Sequence, residues 1–512
     1  MKRYYLGLVL FSISPLIIFA QTKDDIKETV GVLCDCVNDY TDTSNPDSLS
    51  FDEDKMEECF KEKTGIDSLE FASMYYDSTL TEEENNEYFE KELMPVFVNE
   101  VVVQCPNLIQ LMIQAASEEE NENFNSAKSY YSEGVAQMEN QNYKKALESF
   151  NEALALVDDK DAYNQRGLAK TYLGDYYSAI NDFNIAIEMD TTFSNAFQNL
   201  GFVKMNIGDF RSAIPDFEKA IELDSANFTA YNNLGLSYTY LNEFDEASEY
   251  LQESLRINPN YLTAQKNLGY NYIQNGEFEK SVVEYKKALE IDSLDFISNY
   301  NLAFAYENME IFDQAVNFYT DAFEIDSSKA EVLNRRGINY NNMEDYNSAL
   351  SDFKKATVID STNTDYISNV GLMYQYLEQY ELAKFYFDKA VSKSPEDLNL
   401  YYRRAISEYE AGNFKSALSD FSFVLNEEKT NAEVFDYRGR TKYALEDFEG
   451  AIDDFTSSLQ LYPNDAQILK ERGEAYLKIN ESGKACTDFK LVQELDPETD
   501  NIIELISANC AE

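Results

Sequence analysis

Six cysteines are the residues of this chain best equipped for covalent chemistry, and they stand in two groups. Cys34, Cys36, Cys59 and Cys105 lie within residues 1–105, and Cys486 and Cys510 lie at the far end. The chain contains no histidine. That removes Ser-His-Asp and Cys-His catalysis, histidine metal ligation and the usual activator of a nucleophilic thiol. Even counts in both groups point instead to disulfides, provided the compartment is oxidising. A bridge between Cys34 and Cys36 would close a strained small ring, so each is expected to reach one of Cys59 and Cys105. The rival reading, a four-cysteine zinc site, has no CxxC spacing in its favour. Cys486 and Cys510 are expected to pair with each other.

Carboxylates are the other chemically capable groups. Asp and Glu number 94 against 42 Lys and Arg, for a formal net charge of −52. At that density any one Asp–Glu pair singled out as an acid–base couple carries no weight. Runs such as Glu118-Glu119-Glu120 read as solvated surface that keeps a long chain soluble. The charge also repels phosphates and anionic headgroups, which sets aside nucleic acid and anionic membrane as general partners. Phosphate loops, nucleophile elbows, HExxH and calcium loops are absent from the sequence. It therefore implies no enzyme activity, no cofactor and no metal.

The elements that must position these residues begin with Met1 to Ala20. Lys2 and Arg3 precede an apolar run from Leu6 to Phe19, and Ala20-Gln21 has the form of a cleavage point. This reads as a secretory signal, too short for a secure membrane span, with an uncleaved anchor as the alternative. Export to a periplasmic or extracellular compartment is the expectation, with no membrane-spanning segment left after cleavage. Residues 21–125 read as a small helical domain holding the first four cysteines. Ile26, Val30, Leu33 and Val37 share one helical face, Thr81 and Glu84 have capping-box spacing, and Cys105-Pro106 breaks the chain before Leu108. Ser117 to Asn125 is a hinge or a helix extension.

From residue 127 a pattern returns every 34 residues. With the small residue placed at position 8, the series runs Gly134, Gly167, Gly201, Gly235, Gly269, Ala303, Gly337, Gly371, Ala405, Gly439 and Gly473. Twelve positions later stands Ala or Ser, as in Ala146 and Ser281. Four further on stands Phe, Tyr or Leu, as in Phe150 and Leu251. Fixed-period similarity of this kind marks a solenoid, in which each unit buries its apolar face only against its neighbours. Across 127–499 the array closely resembles the tetratricopeptide repeat. The family's Trp at position 4 is replaced by residues such as Tyr130, Tyr163 and Phe197. Its Pro at position 32 survives at Pro259, Pro395, Pro463 and Pro497.

The resemblance implies an all-α, right-handed superhelical solenoid of about eleven helix pairs, A and B. Asp500 to Ala511 then reads as a C-terminal capping helix, with Ile502, Ile503 and Ile506 facing the last unit. Gly174, Gly208, Gly276 and Gly412 at position 15 would end helix A in the left-handed conformation. Helical geometry places positions 2, 5, 9 and 12 of helix A opposite its packing face. In the family that stripe lines a concave groove for partner segments. Its members here include Asn164, Gln198, Phe202 and Asn232, then Lys266, Tyr270, Tyr300 and Phe304, and further on Asn334, Tyr402 and Tyr409. Ile273, Ile338 and Ile406 add aliphatic surface. Asn recurs at position 6, at Asn199, Asn267 and Asn369, where a packing role outweighs peptide capture.

Some family members clamp a terminal carboxylate with cations at positions 2 and 6. Here Arg335 and Arg403 are accompanied by Glu331 and Asn399, so that clamp is not assembled. The resemblance thus implies a protein-interaction scaffold of the bacterial envelope, with an unidentified protein or peptide partner. A carbohydrate-binding or accessory role for the front domain, with Tyr75, Tyr76 and Tyr88 as aromatic platforms, is the alternative.

Overall fold

The computed structural model describes residues 106–510, with side chains from 121 onward, together with residues 30–32, 35, 36, 58, 59 and 62. The signal sequence, Cys34, Cys105, Tyr75, Tyr76 and Tyr88 lie outside the described residues. Among the described residues every regular element is a helix. The first, Pro106–Glu139, runs unbroken through 117–125 and past the point where the array begins. From Lys160 onward, each repeat places helix A on positions 1–13 and helix B on positions 17–30, as in Phe228–Tyr240 with Phe244–Ile257 and Ala432–Ala444 with Phe448–Leu461. Within each of two compact units, consecutive helices pack in order in the manner of tetratricopeptide repeats. The chain divides into two compact units, one ending at Ile207 and one starting at Gly208.

The three-residue turn from A to B depends on position 15. All eleven repeats have positive φ there, supplied by Gly174, Gly208, Gly276 and Gly412, and elsewhere by Gln141, by Asn242 and Asn480, and by Glu310, Glu344, Glu378 and Glu446. The turn is repeated because it returns the chain antiparallel while keeping its donors bonded. Glu344 N donates to Asn341 O at 2.9 Å, and Asp345 N to Tyr340 O at 2.9 Å. A side chain in this conformation costs on the order of 1 kcal/mol, which packing of the helix pair offsets. Glu344, at φ 61°, is therefore a site for stabilisation. Glu344→Gly is expected to raise stability by about 0.5–1 kcal/mol, measured by denaturant unfolding; a loss would show that the Glu344 side chain holds the turn.

Close A–B contact requires the small residue at position 8. A Cβ added at Gly337 would lie 2.8 Å from the Phe353 ring, and at Gly235 2.7 Å from Leu251 and 3.0 Å from the Ala247 carbonyl oxygen. Phe353 and its equivalents Phe183, Phe387, Phe455 and Phe489 are fully or almost fully buried. At Gly235 the nearest atoms include backbone, which cannot rotate away. Gly235→Ala is expected to cost about 1–3 kcal/mol, and a variant as stable as wild type would contradict that close approach.

A second device ties the layers together. In five repeats an Arg at position 7 grips an Asp at position 23 of its own helix B through paired hydrogen bonds of 2.6–2.9 Å: Arg166–Asp182, Arg336–Asp352, Arg404–Asp420, Arg438–Asp454 and Arg472–Asp488. In four of them the remaining guanidinium nitrogen reaches position 25 of the preceding helix B, at Asn151, Thr320, Asp388 or Thr456. One side chain thereby joins two units. The repeats starting at Phe228, Leu262 and Thr364 carry Leu234, Leu268 and Val370 at position 7 instead.

Cys36 is bonded to Cys59, and Cys486 to Cys510. The latter bond anchors helix Ile502–Asn509 against the end of the array. Ile502 is buried there, with Leu505 and Ile506 packed on the cluster of Leu469, Phe489 and Val492. Ile503, expected on that face, is instead 65% exposed. Steps of 100° put residues 502, 505, 506 and 509 on one side and turn 503 away.

Candidate interaction groove

Helix A residues at positions 5, 9 and 12 meet their counterparts on the next helix A, and this decides which of them remain open. Asn164 and Asn232 are 4% and 2% exposed. Asn199 Nδ2 donates to Asn164 Oδ1 at 2.9 Å, Asn267 to Asn232 at 2.8 Å and Asn369 to Asn334 at 2.9 Å. Position 5 of one repeat and position 6 of the next thus form an amide rung between adjacent A helices. Asn232 Nδ2 also donates to Asn233 Oδ1 at 3.0 Å. Ile273 is buried, whereas Gln198, Phe202, Lys266, Tyr270, Tyr300, Phe304, Asn334, Tyr402 and Tyr409 are half-buried.

Charges on the stripe are matched internally. Lys266 Nζ lies 3.0 Å from Asp295 Oδ1. Burial pushes the Asp295 carboxyl up, but hydrogen bonds from Ser298 and Lys266 outweigh it and hold the group below its ordinary value. In the next repeats Glu307 is a hub: it accepts from Arg335 at 2.9 Å, Tyr319 Oη at 2.7 Å and Asn339 Nδ2 at 2.9 Å. The Arg335 guanidinium stands 4.9 Å from the Phe304 ring centroid, and Tyr300 Oη donates to Glu331 at 2.6 Å. Arg335 is thus occupied within the array. Burial, followed by the Glu331 hydrogen bond, pushes the Tyr300 phenol up.

Further along, Tyr402 and Tyr409 meet Tyr437 edge-on at 6.1 and 6.0 Å. Beside them Arg440 lies between Asp436, at 2.9 Å, and Glu471, at 3.0 Å. Arg440 stands on the stripe at position 9, whereas the position 6 residues Arg335, Tyr437 and Glu471 lie beside it. Their signal is an unusual charge at these positions matched by an acid one repeat away.

Burial pushes the Glu471 carboxyl up to about 7, against the pull of Arg440 and the Gln467 hydrogen bond, with Asp436 and Glu474 also raising it. The fold therefore favours the protonated form. Its stabilising effect is full below the unfolded value of 4.5 and is lost as pH rises through about 7. Glu471→Gln is expected to stabilise the last repeats by about 2 kcal/mol at pH 8 and by nothing at pH 4. Hydrogen exchange over 466–478 at the two pH values checks this; equal effects at both would show that Glu471 titrates normally.

Among the described residues no group of His, Cys, Asp and Glu is arranged to hold a metal ion, and no helix is long and apolar enough to cross a membrane. What the stripe offers is aromatic faces, aliphatic surface and amide groups, suited to stacking and hydrogen bonding with another chain.

Family models described as tetratricopeptide repeat match residues 127–156, 160–193, 194–227, 297–329 and 365–397 and 228–261. One described as TPR repeat matches 269–309. Helices from Leu398 to Leu495 continue the same register. No curated protein matches. Among solved structures, a tetratricopeptide repeat protein from Parabacteroides merdae is 19% identical over 56% of this chain and 99% of its own, with a TM-score of 0.36. YrrB, described as a TPR protein with an unusual peptide-binding site, is 22% identical over 35% and 92%, with a TM-score of 0.32. Yeast Tom70 is 17% identical over 75% and 95%, with a TM-score of 0.31.

Proposed function

The chain is a tetratricopeptide-repeat protein, and on that premise we propose that it is a non-enzymatic scaffold holding partner protein segments along the helix A stripe. The observation that carries this reading is the strip formed by Tyr402, Ile406 and Tyr409. These three residues share one face of helix Leu398–Glu410 and remain half-buried, and the two tyrosines sit against Tyr437. A solvated surface has no need of such a strip, while a partner's apolar side chains do. Tyr270 and Phe304 supply similar surface in earlier repeats.

The scaffold acts in the bacterial envelope after export. The signal-like start and the disulfides Cys36–Cys59 and Cys486–Cys510 support that location. Residues 21–125 provide docking or targeting, and 127–499 provide the grip. Crosslinking of native envelope followed by mass spectrometry should give protein adducts along the A helices. The pair Tyr402→Ser and Tyr409→Ser should cut adducts in 398–478 at least about tenfold, equivalent to 1.4 kcal/mol. Adducts confined to residues 21–125, or none, would sink the groove.

A further inference from the structure

Among the repeats of the second unit the packing follows a size rule. Position 1 of a repeat and position 3 of the next fill a common space, and a large residue at one accompanies a smaller one at the other. Phe296 packs with Val332, Ala330 with Tyr366, and Leu398 with Val434. The first repeat has Ala127 and Ala162 at these positions, and neither fills the space. A cavity of about 210 Å³ remains, lined by both alanines with Tyr131, Ala153 and Val157. It lies wholly within the first unit.

The remaining lining residues give the cavity its character. Asp159 and Asp161 belong to it, as do Lys128 and Phe124. Phe124 is 56% exposed, an aromatic ring left in solvent beside an apolar hole. Asp159 accepts from Ala162 N at 2.8 Å as a helix cap, a bond that leaves its charge in place. Burial raises the Asp161 carboxyl, and Asp159 raises it further. The neighbouring Lys160 does not neutralise this field alone: it is paired with Asp190, its ammonium 4.9 Å from the Phe193 ring centroid. Lys128 is the single cation among the described lining residues, and it is exposed.

We propose that this cavity is a docking pocket for one apolar side chain of a basic partner peptide, a Phe or Leu flanked by Lys or Arg. Its volume is below the roughly 300 Å³ at which small-molecule pockets begin, so it suits a single side chain. The acidic mouth, set in a chain of net charge −52, selects flanking cations. The chain's own front segment is a poor occupant on the same ground. It carries Asp52-Glu53-Asp54, Glu57-Glu58 and Glu82-Glu83-Glu84, and its Phe60-Lys61-Glu62-Lys63 stretch follows directly on Cys59, which is bonded to Cys36; the crosslinking arm below tests this stretch. Lys128, Tyr131 and Asp161 stand at positions 2, 5 and 2 of their A helices, so the pocket belongs to the helix A stripe of the first unit and deepens the groove reading there; the titration below reads it apart from the strip at 398–478.

The test is calorimetric titration of the full chain with acetyl-Lys-Gly-Phe-Gly-Lys-amide. Two controls accompany it: the peptide with Gly in place of Phe, and the peptide with Glu in place of both Lys. Saturable binding of the first alone, weaker at high salt, is expected. Ala127→Phe, which copies Phe296, should weaken it at least tenfold while keeping or raising the melting temperature. Ala162→Tyr, which copies Tyr366, provides a second filled cavity should the first variant fail to fold. Asp161→Asn should weaken binding about threefold at low salt. No saturable binding, or binding unchanged in a folded cavity-filled variant, would overturn the proposal. A photocrosslinker at Phe124 that captures residues 21–105 of the same chain, with or without peptide, would overturn the occupant.

Discussion

Arg336→Ala is expected to destabilise its repeat by about 3–5 kcal/mol, since it breaks a buried ion pair. Asp352 is 2% exposed, and Arg336 gives its two oxygens hydrogen bonds of 2.6 and 2.8 Å. Truncation leaves a buried carboxylate with that pairing gone and also severs the link from Arg336 to Thr320 in the preceding helix B. The cost comes from the orphaned charge more than from the lost attraction. The double variant Arg336→Leu with Asp352→Tyr should therefore recover to within about 1 kcal/mol of wild type. It copies Leu234 and Tyr250, the solution used at the same two positions of another repeat. Hydrogen exchange across 330–359 is the suitable measurement, since repeat arrays open in segments. A single variant within about 1 kcal/mol of wild type would show that Asp352 finds water or another cation.

The second large effect is expected at the C-terminal end. The pair Cys486→Ser and Cys510→Ser should cost roughly 3 kcal/mol in the chain-entropy account of a loop with sequence separation 24. The loss should concentrate in the last repeat. Helix Ile502–Asn509 has eight residues, too few to be stable in isolation, and it covers the apolar cluster of Leu469, Phe489 and Val492. Without the bond it should fray and expose the cluster around Phe489 and Val492. Early exchange of amides 482–509, with 228–291 unchanged, is the expected pattern. Unaltered protection of 502–509 would mean that Ile502, Leu505 and Ile506 hold the cap by packing alone.

The fold was legible because its signals are local and repeated. Position 8 must be small, since Phe353 or its equivalent stands within 3 Å of where a Cβ would go. Position 24 is apolar because it fills that layer. The turn was legible where glycine occupies position 15, but not at Glu310, Glu344, Glu378 or Glu446. There the packed helix pair enforces a conformation that the residue does not prefer. The Arg–Asp ties were missed because a charge at position 7 reads as solvated until helix B is laid against it.

Sequence by itself determined the period, the helix pairs and the residues facing away from the A–B layer, because 34-residue spacing and 100° steps need no partner to be read. Only the tertiary structure decided which of those residues remain available. Asn164 and Asn232 vanish into rungs with the next helix A, Arg335 is consumed by Glu307, and Tyr402 and Tyr409 stay half-open. It also decided that Ala127 and Ala162 leave a cavity. Neither alanine is unusual alone, and the space appears only when two residues 35 apart are brought side by side without a large partner. Availability depends on the neighbouring repeat, and one helix's periodicity carries no information about its neighbour.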